Sequence, residues 1–321
     1  MSNLSLNVVY SKPSMRRRYE VWFLRFMLAD GSGAWWFRYL LMNLGRPGGG
    51  GCPGNPSGLP VQVWAAWFPK DGTPQSFIQG FPLDRLSLSS PGAQPFYLRL
   101  NDDTHIGEDS CAGRVEVEGH VITWDLRYHS TIGVAITNVG WIGFSRTPHS
   151  DAVFSGEITF DGQTFRGEPL GYGLQGHNCG FRHRHLWNWT HCLAFNSDGG
   201  ISTFEALEYE ILFGLRFRKA LLWHGGKLYT FKNLEEIRRD RDHLQWVFKC
   251  SDSEDGAVLI AIIDGNGPSI HWLPYLKTDC SSTFAIANNS LARATLYFSR
   301  PGHPLEQIST DGGAVLEMVG A

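Results

Sequence analysis

No stretch of this sequence reaches the roughly 18 consecutive apolar residues that a membrane-spanning helix requires. Met1 to Pro13 is polar and has no apolar core, so no secretory signal is expected there. Cysteine is sparse: Cys52, Cys111, Cys179, Cys192, Cys250 and Cys280 are scattered, without a short Cys-x-x-Cys pair. That excludes a zinc ribbon and a dense disulfide frame, and the expected setting is soluble, reducing and cytoplasmic. Charge of one sign is also lacking. Lys plus Arg number 28 and Asp plus Glu 31, for a formal net charge of −3. Such a balance gives no electrostatic case for nucleic acid or an anionic membrane, and the run Arg16-Arg17-Arg18 reads as a solvated terminus.

Several catalytic signatures are absent too. The Gly-rich stretch 45–58 does not end in Gly-Lys-Ser/Thr, which excludes a phosphate-binding loop. There is no Gly-x-Ser-x-Gly elbow, which argues against an α/β-hydrolase nucleophile. His177, His183, His185 and His191 cluster in sequence, and His183 and His185 could share a strand face. No acidic or cysteine partner stands at a recognised ligand spacing, so no metal is expected.

What is abundant is aromatic: 12 Trp, 20 Phe and 10 Tyr, which is 13% of the chain. Aromatic side chains favour strands and bury large areas. They fit either a packed β core or an aromatic-lined cavity. Strand patterns fill most of the chain. Tyr19 to Leu28 and Ala34 to Leu44 flank Asp30-Gly31, and Val153 to Phe160 and Gln163 to Gly167 flank Asp161-Gly162, both hairpin signals. A single strand is expected over Thr203 to Arg218. Only Leu234 to Arg241 has helical character, and 45–58 reads as a flexible loop, either a surface insertion or a lid. Many strands joined by short turns predict an all-β fold of antiparallel sheets. A division near Pro169 gives an N-terminal half, 1–168, and a C-terminal half, 169–321.

Residues 171–195 are the most informative. Their Gly-rich start suggests irregular backbone. In the strand that follows, Trp187, Trp189, His191, Leu193 and Phe195 alternate with Asn188, Thr190, Cys192 and Ala194. One face is bulky and the other small, so the strand separates two environments, a packed interior and a cavity wall.

The pattern His177-Asn178-Cys179-Gly180, then Trp187-Asn188-Trp189, resembles the signature of the AttH-like, carotenoid-hydratase-like lipocalin superfamily. That family shows Gly-Tyr-x-x-His-Asn-Trp-Gly followed by a Trp-x-Trp strand. Glu20-Val21-Trp22-Phe23, Ile122-Thr123-Trp124-Asp125-Leu126 and Thr310-Asp311-Gly312-Gly313 match it in order, so the resemblance touches nearly the whole chain. It implies two lipocalin-like barrel or sandwich halves packed together, with a ligand at a barrel mouth or between them. The family includes carotenoid hydratases, tocopherol cyclases and ring-closing enzymes of Diels–Alder type, which need no organic cofactor. Cys179 stands where a Trp is usual, and 45–58 is an unusual insertion.

A cofactor-free enzyme acting on an apolar terpenoid or polyene needs one of two devices. A buried, neutral carboxylic acid can protonate a double bond, or hydrogen-bond donors can hold a reactive conformer and polarise a carbonyl. Glu205 fits the acid role, because Leu207, Tyr209, Ile211 and Phe213 share its face; pairing with Arg216 or Arg218 is the structural alternative. Glu20 and Asp125 are further acid candidates, and Asp125 could instead pair with Arg127. His177 and Asn178 fit the donor role, or merely tie their loop to nearby backbone. Trp36, Trp124, Trp187, Trp189, Tyr209 and Phe213 are the expected ligand-binding aromatics. The leading expectation is a cyclase or related hydratase. The rivals are a carrier of a hydrophobic small molecule, whose cavity would hold only apolar groups, and a structural domain with no cavity.

Overall fold

In the computed structural model, residues 6–52, 58–139, 142–183, 186–196, 200–212, 214–251 and 254–320 are described. They form two curled antiparallel sheets. Among the described residues there is no α-helix, and a 3₁₀ turn spans Leu83–Arg85. The first sheet opens with β1 (Tyr19–Leu28), β2 (Gly33–Met42), β3 (Val61–Pro69) and β4 (Gln75–Phe81). The short strands β5 (Ser87–Leu88), β6 (Tyr97–Arg99) and β7 (His105–Gly107) lead to β8 (Ser110–Val117) and β9 (His120–His129). It ends with β10 (Val134–Asn138) and the long hairpin β11 (Gly143–Phe160) and β12 (Gln163–Gly180). Strand order is β4-β3-β2-β1-β12-β11-β9-β8-β7-β6-β5, with β10 pairing β11.

The second sheet begins with β13 (Trp187–Phe195), β14 (Ile201–Leu212), β15 (Leu215–His224) and β16 (Lys227–Phe231). There follow β17 (Asn233–Asp240), β18 (Gln245–Ser251), β19 (Val258–Asp264) and β20 (His271–Leu276). It closes with β21 (Thr283–Ser299) and β22 (Glu306–Val319). The order is β16-β15-β14-β13-β22-β21-β19-β18-β17, with β20 pairing β21. These are the two lipocalin-like halves expected from the sequence. The chain changes sheet between Gly180 and Trp187 rather than at residue 169, because β12 stays paired with β1 through Tyr19↔Gly180.

Three local expectations change. Leu234–Arg241 is not helical: β17 is a charged edge strand paired with β18, and a bulge between Glu236 and Arg238 breaks the alternation that marks strands. Thr203–Arg218 is two strands, not one, because Gly214 takes φ +80° and turns β14 back into β15. The Gly-rich 171–180 segment is regular strand. Its glycines make room for side chains of β1: a Cβ on Gly176 would lie 2.2 Å from the Phe23 ring.

Alternation sets the main apolar regions, one inside each sheet and others between the sheets. Trp22, Leu24 and Phe26 point into the first sheet's curl, where Trp35, Phe37, Trp124 and Phe154 also pack. Cys192, Ala194, Phe204, Trp246 and Phe298 fill the second. Between the sheets, Phe23, Leu174, Trp189, Leu207 and Val315 form a third core. Cys52 and Cys280 are joined by a disulfide with Cα atoms 5.4 Å apart, which ties the loop after β2 to the β20–β21 connection. That corrects the expectation of reduced thiols throughout. It also anchors the described part of 45–58, whose Cys52 packs with Val21, Leu40, Met42 and Leu276. No helix among the described residues is long and apolar enough to cross a membrane.

Candidate functional site

A cavity of about 340 Å³ lies between the two sheets. The first sheet contributes Tyr19, Val21 and Phe23 from β1, Trp36 and Arg38 from β2, Phe144 and Ser145 from β11, and Asn178 from β12. Trp187, Trp189, Leu207, Tyr209, Tyr275 and Glu317 face them from the second. The exposed apolar side chains of Val139, Ile142 and Phe181 stand at the rim. The aromatic face of β13 is therefore the cavity wall, and its small face packs the second sheet's interior. Phe23 meets Trp189 edge to face at 5.6 Å.

Two buried ionisable groups face this aromatic space. Arg38 is only 3% exposed, and its guanidinium lies 4.1 Å from the Tyr275 ring centroid and 4.8 Å from that of Trp64. No hydrogen bond or ion pair to Arg38 is formed among the described residues, and its side chain borders the cavity. Glu317 sits opposite Trp189 in the β13–β22 register. Burial pushes its carboxyl pKa up, while Asn288 Nδ2 donates to Oε1 at 2.8 Å and the Trp187 indole donates as well. The two donors and the nearby Arg38 charge pull the other way, and burial outweighs them.

His183 adds a neutral imidazole. It stacks on Tyr19 at 4.3 Å, and burial, reinforced by Arg38, drives its pKa down to about 3. Both ring nitrogens are buried without a partner, and so is Asn178 Oδ1. The cavity thus holds a buried guanidinium, a buried carboxyl group and unfilled hydrogen-bonding positions inside an aromatic wall, and the exposed Arg182 lines it as well.

The sequence candidates divide across strand faces. Trp36, Trp187, Trp189, Tyr209 and Asn178 line the cavity. Glu205 lies behind it: Oε1 accepts the Trp189 indole N–H at 2.9 Å and Oε2 the Thr147 hydroxyl at 2.9 Å. Its pKa is pushed up to about 7 by burial, yet it reaches the cavity only through Trp189. Arg216 and Arg218 bind Glu208 rather than Glu205. His177 points away from Asn178, as neighbours on a strand must. It lies inside the first sheet, stacked on Trp22 at 4.6 Å with Nε2 2.9 Å from Glu20 Oε1. Glu20 also accepts the backbone N–H groups of Tyr10 and Ser11, so this pair fastens the N-terminal segment and does not face the cavity.

Trp124 and Asp125 fall outside the site as well. Trp124 donates to the Tyr39 hydroxyl within the first core, and Asp125 faces solvent on the other side of β9. Phe213 lies outside the described residues, as does His185. Among the described residues no three His, Cys, Asp or Glu side chains converge as a metal site. Sequence reasoning missed Arg38, the one charge in β2, and Glu317, the one charge in the apolar run 312–319; a charge among apolar neighbours is the same signal that singles out Glu205.

No protein-family model matches the sequence, and no curated protein matches it. Solved structures do. CghA with Sch210972 aligns over 95% of this chain and 89% of its own, at 12% identity and a TM-score of 0.66. A second CghA structure covers 95% and 88%, at 12% identity and a TM-score of 0.64. Kievitone hydratase from Nectria haematococca covers 98% and 94%, at 11% identity and a TM-score of 0.54. The chain therefore shares the fold of CghA and kievitone hydratase, as the expected two-halved β architecture requires.

Proposed function

We propose that the chain is a hydratase- or cyclase-type enzyme that acts, without an organic cofactor, on an unsaturated small molecule enclosed between the sheets. The observation that carries this reading is Glu317: a carboxyl group with a raised pKa, held by neutral donors, facing an aromatic cavity. Its proton passes to one carbon of a substrate double bond and forms a C–H bond. The cation left on the neighbouring carbon is stabilised by the faces of Trp36, Trp187 and Trp189. Capture by water, with its surplus proton returned to Glu317, is hydration. Capture by a second double bond, followed by proton loss to the same carboxylate, is cyclisation. No oxidant or reductant is needed in either case.

Two further observations support the reading. The volume suits one small ligand, at the lower end of the range of about 300–1,000 Å³ common for such sites. One fold neighbour is by name a hydratase. A carrier for neutral lipids is the weaker reading, because it has no use for an acid and a cation buried in its binding space.

The test is incubation of purified protein with an apolar metabolite extract, read by liquid chromatography and mass spectrometry. A species that gains the mass of water, or one that keeps its mass and shifts in retention, is the expected result. Species that co-purify with the protein but are never converted would make it a carrier.

A further inference from the structure

The charge inside the cavity narrows the substrate class, and this step rests on the cavity being the substrate site. A buried guanidinium normally has a carboxylate or a set of carbonyls as partners, since an uncompensated cation in a low-dielectric setting is costly. Two other buried arginines of this protein follow that rule. Arg25 is fully buried and donates to main-chain carbonyls, and Arg146 donates to Asn138 Oδ1 and the Leu6 carbonyl. Arg38, similarly buried, has two aromatic rings and no oxygen. The nearest acid that influences it, Glu317, lies beyond ion-pairing reach and is already engaged by Asn288. The fork of N–H groups on Arg38 is therefore an unfilled site for an oxygen anion, fixed in orientation by the Trp64 and Tyr275 rings. His183, with both ring nitrogens free, supplies a neutral donor beside it.

We propose that the ligand is an anionic amphiphile: an unsaturated, mainly apolar body lying against Trp187 and Trp189, with a carboxylate or enolate oxygen bound by the Arg38 guanidinium. The exposed Arg182 also lines the cavity, so the buried Arg38 fixes where the anion sits and not its total charge. A neutral hydrocarbon would leave the guanidinium without a partner.

The test uses two probes that share a polyene body and differ in the head group, retinoic acid and retinol. Binding is followed through quenching of tryptophan emission at pH 7.5. Wild type is expected to bind the acid at least about tenfold more tightly than the alcohol, the scale of one charge-assisted hydrogen bond. Arg38→Met should abolish that preference while leaving retinol affinity within about twofold, and Arg38→Lys should keep part of it. Circular dichroism and thermal melting verify that both variants are folded. Equal affinities in wild type, or a preference that survives Arg38→Met, would overturn the proposal. Glu317→Gln separates the two readings: it should stop turnover without altering the acid-to-alcohol ratio. A missing ratio alongside Glu317-dependent turnover sinks the anion site alone. A clear ratio in a protein that converts nothing sinks the enzyme reading alone.

Discussion

Glu205 is 2% exposed and accepts two neutral hydrogen bonds, so its titration belongs to stability more than to chemistry. Its folded pKa of about 7 exceeds the ordinary 4.5, which means the native state holds the proton more tightly than the unfolded chain does. The resulting stabilisation is full below about pH 4.5 and fades as pH rises to about 7. Wild type should lose up to roughly 3 kcal/mol relative to Glu205→Gln across that window, measured by denaturant unfolding at a series of pH values. Parallel profiles for the two proteins would show that Glu205 does not hold a proton in the native state. Residue types are partly legible in the sequence: a carboxyl on an apolar strand face stands out as unusual, and Glu205 is buried as that pattern suggests. Which of Glu20, Asp125, Glu205 and Glu317 faces the cavity is not legible, because that depends on which sheet face closes against the other half.

At the scale of elements, the two halves are pinned where the β21–β22 ladder is irregular. The register slips between Asn289 and Ala292 and again between Ala292 and Ala294, and Gly312 takes φ +83°. Carbonyls freed there turn towards β1. Arg25 Nη2 donates to the Gly312 and Ala314 carbonyls at 2.8 and 2.7 Å and also to Ser290, and Nη1 donates to Gly313 at 3.2 Å. The Thr310–Gly313 stretch, which carries part of the family resemblance, is thus a docking point between sheets. Arg25→Met leaves these buried acceptors unpaired and should cost about 3 kcal/mol or more in chemical denaturation. A cost under about 1 kcal/mol would mean that water or relaxed backbone replaces the guanidinium. Period-two alternation makes β13 readable from its residues alone, including its two environments. It does not reveal β17, where charged residues on an edge strand obscure the pattern. Nor does it separate His177 from Asn178, because the glycines around them mask a regular strand.

For the whole molecule, the two-sheet architecture is legible because turn signals and strand lengths are local. The inter-sheet cavity is not, since its walls come from residues as far apart as Tyr19 and Glu317. The Cys52–Cys280 link is equally hidden, with 228 residues of separation between its ends. On chain entropy alone, closing so long a loop stabilises by about 5 kcal/mol, so Cys280→Ser should lower the melting temperature. A non-reduced peptide map showing both thiols free would rule the link out.

Chemistry at Glu317 within the cavity is the central claim. The most direct measurement takes the species that wild type converts and repeats its turnover with Glu317→Gln, while native mass spectrometry records binding. Turnover should fall at least about a hundredfold with the ligand still bound. Unchanged turnover in that variant would contradict the account.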